Sequence, residues 1–254
     1  MQISTSTQSQ IADRLALFPD SARIQNESLF IAGQDMTALV EQYGTPLYIY
    51  DHITLDACAA DYQSALRKYY PAPSRITYAG KAFLCKALAK WTQTHNMFVD
   101  CTGEGEIAIA AAGGVHRENI LVHGVNKSIE DLQAALKHAG TIVVDNLTEL
   151  HRITPIITNY REASPWDQLP VPDLWLRLLP GVAVHTHHTH TQTGQHDSKF
   201  GMTREEILEA ARFCKERNLP LKGIHFHQGS NFRDPEPLLA AIDMALDLAQ
   251  EIGF

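Results

Sequence analysis

Long apolar runs are missing from this chain. Although 44% of its 254 residues are apolar, no stretch approaches the ~18 consecutive apolar residues of a membrane-spanning helix. Positive charge is in deficit, with 21 Lys and Arg against 29 Asp and Glu, a formal net charge of -8. The basic residues are scattered, which argues against a nucleic-acid partner, since that would want a basic face. Cysteine is scarce: four residues, at 58, 85, 101 and 214, with no Cys-x-x-Cys pairing. They read as reduced cytosolic thiols, mostly buried as small apolar groups, and not as a disulfide framework. Met1 to Gln10 has neither a basic start nor an apolar run, so it does not read as a secretory signal. A cytoplasmic protein with no membrane segment is expected.

What is present is an alternation of strand and helix signals. The length suits one domain of barrel size, which takes ~250 residues. Residues up to about 22 are polar, and a short helix fits Ile11 to Phe18. Ser28 to Asp35 reads as strand and turn, and Met36 to Tyr43 has helical spacing that stops at Gly44. From Pro46 onward the pattern predicts strands at 47–50, 75–79, 97–101, 119–123, 141–145, 173–178 and 222–227, with helices between them. Ser128 with Asp131, Asn146 with Glu149 and Thr203 with Glu206 have capping-box spacing at helix starts. Gly113-Gly114 and Gly140 are expected to end helices as left-handed caps. A last helix is expected from about Pro235 to Ile252. Such βαβα order predicts a parallel sheet covered by helices. Gly103-x-Gly105-x-x-Ala108 also fits a dinucleotide fingerprint, but that reading wants an acid at the end of the next strand, where His123-Gly124 stands.

Several residues carry chemistry in this frame. Lys81 follows a strand, Arg75 to Ala79, and precedes helical spacing from Phe83 to Trp91. A lysine there is a point charge for an anion, an amine that attacks a carbonyl, or solvated surface. His225 and His227 are two apart on a strand and share a face, while Phe226 points the other way, toward covering helices. Gly229-Ser230 follows in a turn. Asp100 ends a strand and Thr102 is placed to cap the next helix. His123, Asn126, Lys127 and Ser128 fill a strand end and helix start. Arg177 ends a strand of Leu and Trp, and a buried arginine needs a partner. His185, His187, His188, His190 and His196 invite a metal reading, but no cysteine and no glutamate accompanies them. A solvated loop is the preferred reading, and no metal is expected.

Tyr78-Ala79-Gly80-Lys81-Ala82 resembles the cofactor-lysine motif of the ornithine/diaminopimelate/arginine decarboxylase family. These are pyridoxal-phosphate enzymes with an alanine-racemase-like barrel. Val99 to Glu106, Leu121 to Ser128, Gly181 to His187, Lys199-Phe200-Gly201 and Gly223 to Ser230 are similar to further family segments, in the family's order. The diaminopimelate decarboxylase subgroup is the nearest in pattern. The resemblance covers about Leu29 to Phe254. It implies an α/β fold, a pyridoxal 5'-phosphate-binding TIM-type (β/α)8 barrel. It implies that Lys81 bonds the cofactor aldehyde as the catalytic lysine and that His227 lies flat on the ring. Ser230 would bond a phosphate oxygen, and Asp100 would orient groups around the lysine and ring, a structural carboxylate being the alternative. Arg177 and His123 would stand behind these. The histidine-rich segment 185–196 falls where the family has a mobile loop, and Lys199 where a partner subunit is met. Two departures stand out. The family usually has Ser-Gly-Gly-Glu where this chain has Thr102-Gly103-Glu104-Gly105-Glu106, and commonly Asn at Val125.

On this resemblance, residues 1–45 form an N-terminal segment whose Leu29-Phe30-Ile31 strand would pair with a C-terminal β-domain. Residues 46–254 form the barrel, with about seven of its eight strands. The eighth strand, its glycine-rich phosphate loop, the ring-nitrogen acid and the β-domain are absent from these 254 residues, which alone are expected to be inactive. The implied reaction is decarboxylation of meso-2,6-diaminopimelate to L-lysine, in a homodimer with shared active sites. The alternatives are a decarboxylase of another basic amino acid or polyamine precursor, and a non-catalytic or regulatory protein that binds the same cofactor.

Overall fold

The structure, a computed structural model, describes residues 14–162, 170–182, 198–230 and 234–254. The histidine-rich segment 185–196 falls outside them, as do the first three residues of the helix expected at Ile11 to Phe18; Arg14 and Leu15 are helical and the chain turns after them. Two compact units divide at Ile76 and Thr77.

The first unit contains an antiparallel meander, β1 (Arg23–Gln25), β2 (Ser28–Ile31) and β3 (Gln34–Asp35), then α1 (Met36–Tyr43) and α2 (His52–Tyr69). Asp35 and Asp51 cap the two helices by accepting hydrogen bonds from backbone N–H groups. The strand expected at 28–31 is the centre of the meander, bonded to β1 on one side and β3 on the other. The strand expected at 47–50 does not form. Among the described residues no strand pairs with this β-rich sequence, and Tyr48 and Tyr50 are exposed.

The second unit is built on six parallel strands in sequential order: β4 (Thr77–Ala79), β5 (Phe98–Cys101), β6 (Ile120–Val122), β7 (Thr141–Val144), β8 (Asp173–Arg177) and β9 (Leu221–His225). Between and after them run α3 (Lys86–Thr94), α4 (Glu104–Ala112), α5 (Ile129–His138), α6 (Leu147–Glu162), α7 (Arg204–Glu216) and α8 (Glu236–Ile252). The strand order never reverses, as in a singly wound barrel wall. A dinucleotide fold needs a reversal at its binding crevice, so the Gly103-x-Gly105-x-x-Ala108 spacing does not carry that meaning here.

Strand alternation sorts the side chains into two layers. Val99, Cys101, Ile120, Val122, Ile142, Val144, Leu174 and Leu176 pack with Ile107, Leu132, Leu136, Leu150, Ile153 and Ile207 of the helices in one core. Phe226 joins that core from beyond β9, as its alternation predicts. Burial pushes the Cys101 thiol up to about 12, which keeps it an inert packing group. Cys214 is also buried, whereas Cys58 is exposed.

The caps differ in detail from their sequence signals. Ser128–Asp131 and Thr203–Glu206 are complete capping boxes. Asn146 accepts from Glu149 N–H at 2.9 Å, but the Glu149 carboxylate turns inward instead of closing the box. Gly114, at φ +84°, is left-handed, while Gly113 is right-handed at φ -81°. Gly113 is glycine for space, since a Cβ would lie 2.4 Å from the Ala89 Cβ. Gly140 does not have a left-handed φ; a Cβ there would sit 2.7 Å from the Glu118 Cα.

The inward Glu149 meets Lys127, whose ammonium is fully buried. Lys127 Nζ donates to Glu149 Oε1 at 2.8 Å, to the Gly124 carbonyl at 2.7 Å and to the Val143 carbonyl at 2.8 Å. All three ammonium protons are thereby used. Lys127→Met should cost about 3–5 kcal/mol of stability, because it strands a buried carboxylate. Adding Glu149→Leu should recover most of that loss. Urea unfolding of the single and double variants checks both expectations.

Candidate active site

The layer opposite the helix-packed core carries the polar residues. Asp100 pairs in register with Ala79 and Leu121, and Arg177 with His225. Asp100, His123, Asp145, Arg177, His225 and His227 thus sit at or just beyond the carboxyl ends of adjoining strands. In parallel α/β barrels this is the end where chemistry is placed.

Lys81 is exposed in a 3-10 turn, Gly80–Ala82, directly after β4. The helix expected from Phe83 begins only at Lys86, because Phe83 is extended and the Tyr78 hydroxyl donates to its carbonyl at 2.8 Å. Tyr78 is wedged edge-on against Trp91, with ring centroids 6.4 Å apart. Gly80 is forced by close approach: a Cβ would meet the Asp100 carbonyl oxygen at 2.6 Å. The turn that carries Lys81 is thus pressed onto the strand that carries Asp100.

Asp100 Oδ2 lies 2.9 Å from His123 Nε2, with both side chains largely buried. The separation is that of an ion pair, but the ring is not aligned for a hydrogen bond, and Asp100 Oδ1 and His123 Nδ1 also lack a bonded partner. Arg177 Nη1 donates to Asp145 Oδ1 at 3.4 Å, and its guanidinium lies 4.9 Å from the Phe200 ring centroid. Burial lowers the Arg177 pKa, against the opposing pull of Asp145 and Asp100. His225 stacks obliquely near His123 at 6.1 Å. Burial first, and then the nearby charges of Arg177 and His123, push its pKa down to about 3. His227 is lowered too, by burial and by Lys81, Arg177 and His123, with Asp100 acting in the opposite sense.

Lys81, Asp100, His123, Arg177 and His227, singled out in the sequence, are therefore collected at one end of one sheet. Ser230 is exposed in the loop after His227, next to residues outside the described set. Thr102 is not a helix cap. Gly103 holds that position, and the Thr102 N–H and hydroxyl both donate to Glu106 Oε2, at 2.6 and 2.9 Å. The free N-terminus of α4 is instead served by Asp131 of α5, whose Oδ1 accepts from Glu104 N–H at 2.8 Å. Although burial works against it, the bonds from Ser128 and Glu104 hold the Asp131 pKa below the usual carboxylate value.

Sequence reasoning missed Asp145, read Glu149 only as a capping partner of Asn146, and gave Gln228 no role of its own. The only signal for Asp145 is an acid ending an otherwise apolar strand. Gln228 is buried and donates to the Val182 carbonyl at 2.8 Å, while its Oε1 has no bonded partner. Among the described residues no group of three His, Cys, Asp or Glu has the arrangement of a metal site. A concavity of about 550 Å³ lies away from these strand ends, between α7, the start of β9 and the end of α8. It has none of the convergent polar groups of the inner layer, so the strand ends are the better candidate.

The His225 environment has a measurable consequence. Its pKa is about 3 in the fold against ~6.5 in an unfolded chain. Below pH ~6.5 the unfolded state takes up the proton first, so stability falls as pH drops toward the folded value, by up to ~1.4 kcal/mol per pH unit. His225→Gln should flatten this acid slope, as followed by urea midpoints between neutral pH and mildly acidic pH.

Residues 57–253 match the family model described as pyridoxal-dependent decarboxylase, pyridoxal binding domain. The chain is 34% identical over 231 residues to the diaminopimelate decarboxylase of Synechocystis, covering 87% of this chain and 47% of that protein. It is 34% identical over 229 residues to the Bacillus subtilis diaminopimelate decarboxylase, covering 88% and 49%. Among solved structures, Helicobacter pylori diaminopimelate decarboxylase complexed with L-lysine superposes with a TM-score of 0.75 at 26% identity, over 85% of this chain and 52% of that one. The chain spans about half the length of the curated relatives it matches. With its sequential parallel strands and a lysine at the end of the first of them, the chain belongs to the pyridoxal-binding domain family of the pyridoxal-dependent decarboxylases.

Proposed function

We propose that this chain supplies the cofactor-binding part of a decarboxylase that converts meso-2,6-diaminopimelate to L-lysine and carbon dioxide in lysine biosynthesis. The observation that carries the reading is the meeting of Lys81, Asp100, His123, Arg177 and His227 at one end of the sheet. Relatives named for this reaction support the substrate. In the same reading the enzyme is a cytoplasmic homodimer with shared active sites. Its barrel begins near Pro46, and Lys199 stands toward the partner subunit.

The residues present fit pyridoxal 5'-phosphate. The group needs an amine for its aldehyde, a flat surface for its ring and donors for its phosphate. Lys81 offers an exposed amine on a braced turn. Asp100 Oδ1, His123 Nδ1 and His225 Nδ1 are buried polar atoms without bonded partners, such as a polar ligand satisfies. When bound, the cofactor supplies an electron sink for the pair left on the substrate carbon as carbon dioxide departs.

This chain's own groups do the holding. Lys81 would hold the cofactor through its aldehyde. His227, whose pKa is lowered by burial and by Lys81, would offer its ring face to the cofactor ring. Asp100 and His123, which lie against each other, would orient groups on the lysine side, and the Ser230 hydroxyl would serve the phosphate. Arg177 would stand behind the ring histidine.

Borohydride reduction of the cofactor-loaded protein, followed by peptide mapping, should place the pyridoxyl label on Lys81. Label on a different lysine would reject the assignment. His227→Ala should weaken cofactor binding about tenfold, the worth of one aromatic stack, with the fold retained. In an enzyme that carries this chain together with the remaining half found in its relatives, turnover of diaminopimelate should exceed that of ornithine and arginine. Preference for either of the latter would move the substrate to another basic amino acid, and cofactor binding without turnover of any would make the protein non-catalytic.

A further inference from the structure

Asp145 is not among the residues that motif or spacing singles out, yet it is almost fully buried at the end of β7. Its two carboxylate oxygens are divided between neighbours. Oδ1 accepts from Arg177 Nη1 at 3.4 Å, and Oδ2 faces Asn146 Nδ2 at 3.5 Å. Asn146 is itself fixed, because its Oδ1 caps α6 at Glu149 N–H. The Asp145 backbone is fixed as well. Lys127 holds the Val143 carbonyl two residues earlier, and the Asp145 N–H donates toward the Glu149 carboxylate. The carboxylate therefore has little freedom of its own.

Arg177 is in the opposite position. It is a long side chain at a strand end, with one hydrogen-bonded carboxylate and one aromatic contact, to Phe200. A guanidinium buried at this depth needs a charge partner to stay ionised in one place. Its place matters, because its charge acts on both His225 and His227.

We propose that Asp145 is a positioning residue that fixes the Arg177 guanidinium at the strand ends, and that it affects cofactor binding only through Arg177. This rests on the reading of these strand ends as the pyridoxal phosphate site. Without the carboxylate, Arg177 swings toward Asp100, the other acid whose charge acts on it. The inner layer then loses a fixed cation and Asp100 is drawn from its contact with His123.

A double-mutant cycle in the cofactor-loaded protein tests this, with the dissociation constant of pyridoxal phosphate read by fluorescence. Arg177→Gln and the near-isosteric Asp145→Asn should each weaken binding roughly tenfold, and the double variant should be no weaker than Arg177→Gln alone, which is the non-additivity of groups acting as one unit. Multiplying effects, about a hundredfold in the double variant, would show that Asp145 acts independently and would overturn the proposal. So would unchanged affinity in Asp145→Asn. If Asp145→Asn does not fold, Asp145→Glu, which keeps the charge but displaces it, serves in the same cycle with the same two outcomes. Borohydride labelling of Lys81 in the wild type separates the two levels. Label at Lys81 with multiplying effects rejects the role of Asp145 alone, and a wild type that binds no cofactor rejects the site and the proposal together.

Discussion

The buried Lys127–Glu149 pair is the interaction on which the geometry of the second unit depends. One ammonium reaches the carbonyl that follows His123, the carbonyl of Val143 in β7, and a carboxylate on α6. It thereby ties the β6 exit, the β7 end and the α6 start at a single point. The same residue lies beside Ser128, which caps α5, and its backbone carbonyl accepts from Arg152 of α6 at 3.0 Å. Burying an ion pair is expensive, and an apolar pair of equal volume is often as stable. An apolar pair could not bond two backbone carbonyls at strand ends that diverge toward the site. What the pair provides is register, at the end of the sheet where register decides which polar groups meet.

From that register the site follows by alternation. Cys101, Val122, Val144 and Leu176 are sealed under helices, so the residues one step away must face the other layer. These are Asp100, His123, Asp145 and Arg177, contributed by β5 to β8 in turn. Because the strands run in sequential order, groups on neighbouring strands can pair, and two such pairs form. Asp100 meets His123 from β5 to β6, and Asp145 meets Arg177 from β7 to β8.

Much of this was legible in the sequence, for reasons that also explain the failures. The common face of His225 and His227 follows from a period of two, which holds whatever the tertiary context. The parallel sheet follows from alternation and capping boxes, both local signals. Asp145 was hidden because its partner lies 32 residues away, on a strand whose adjacency only the fold establishes. Lys127 reads as a surface lysine before a helix cap until β7 and α6 are known to close over it. Leu47 to Tyr50 has the composition of a strand, but strand propensity is largely the fit to a neighbour, and among the described residues that segment has none. Thr102 has the residue type of a cap, yet Asp131 of another helix takes the bond to α4, a substitution invisible to local pattern.

The charges of the inner layer also explain why two histidines can stand among cations. Asp100, Asp145 and Glu149 are each committed to one basic neighbour: His123, Arg177 and Lys127 respectively. Among the described residues no carboxylate acts to hold a proton on His225; burial, then Arg177 and His123, act against one. His227 has Lys81 and Arg177 acting against a proton and only Asp100 acting for one. Burial is the first cause that disfavours a proton on either ring, and the cations held at the strand ends add to it. A neutral imidazole is flat, polarisable and cheap to desolvate, whereas an imidazolium would repel Lys81 and carry a solvation cost. The cations that the pairing holds in place thus add to what burial does to the histidines. Of the three carboxylates only Asp100 acts directly on one of these rings, favouring a proton on His227 against burial and the nearby cations.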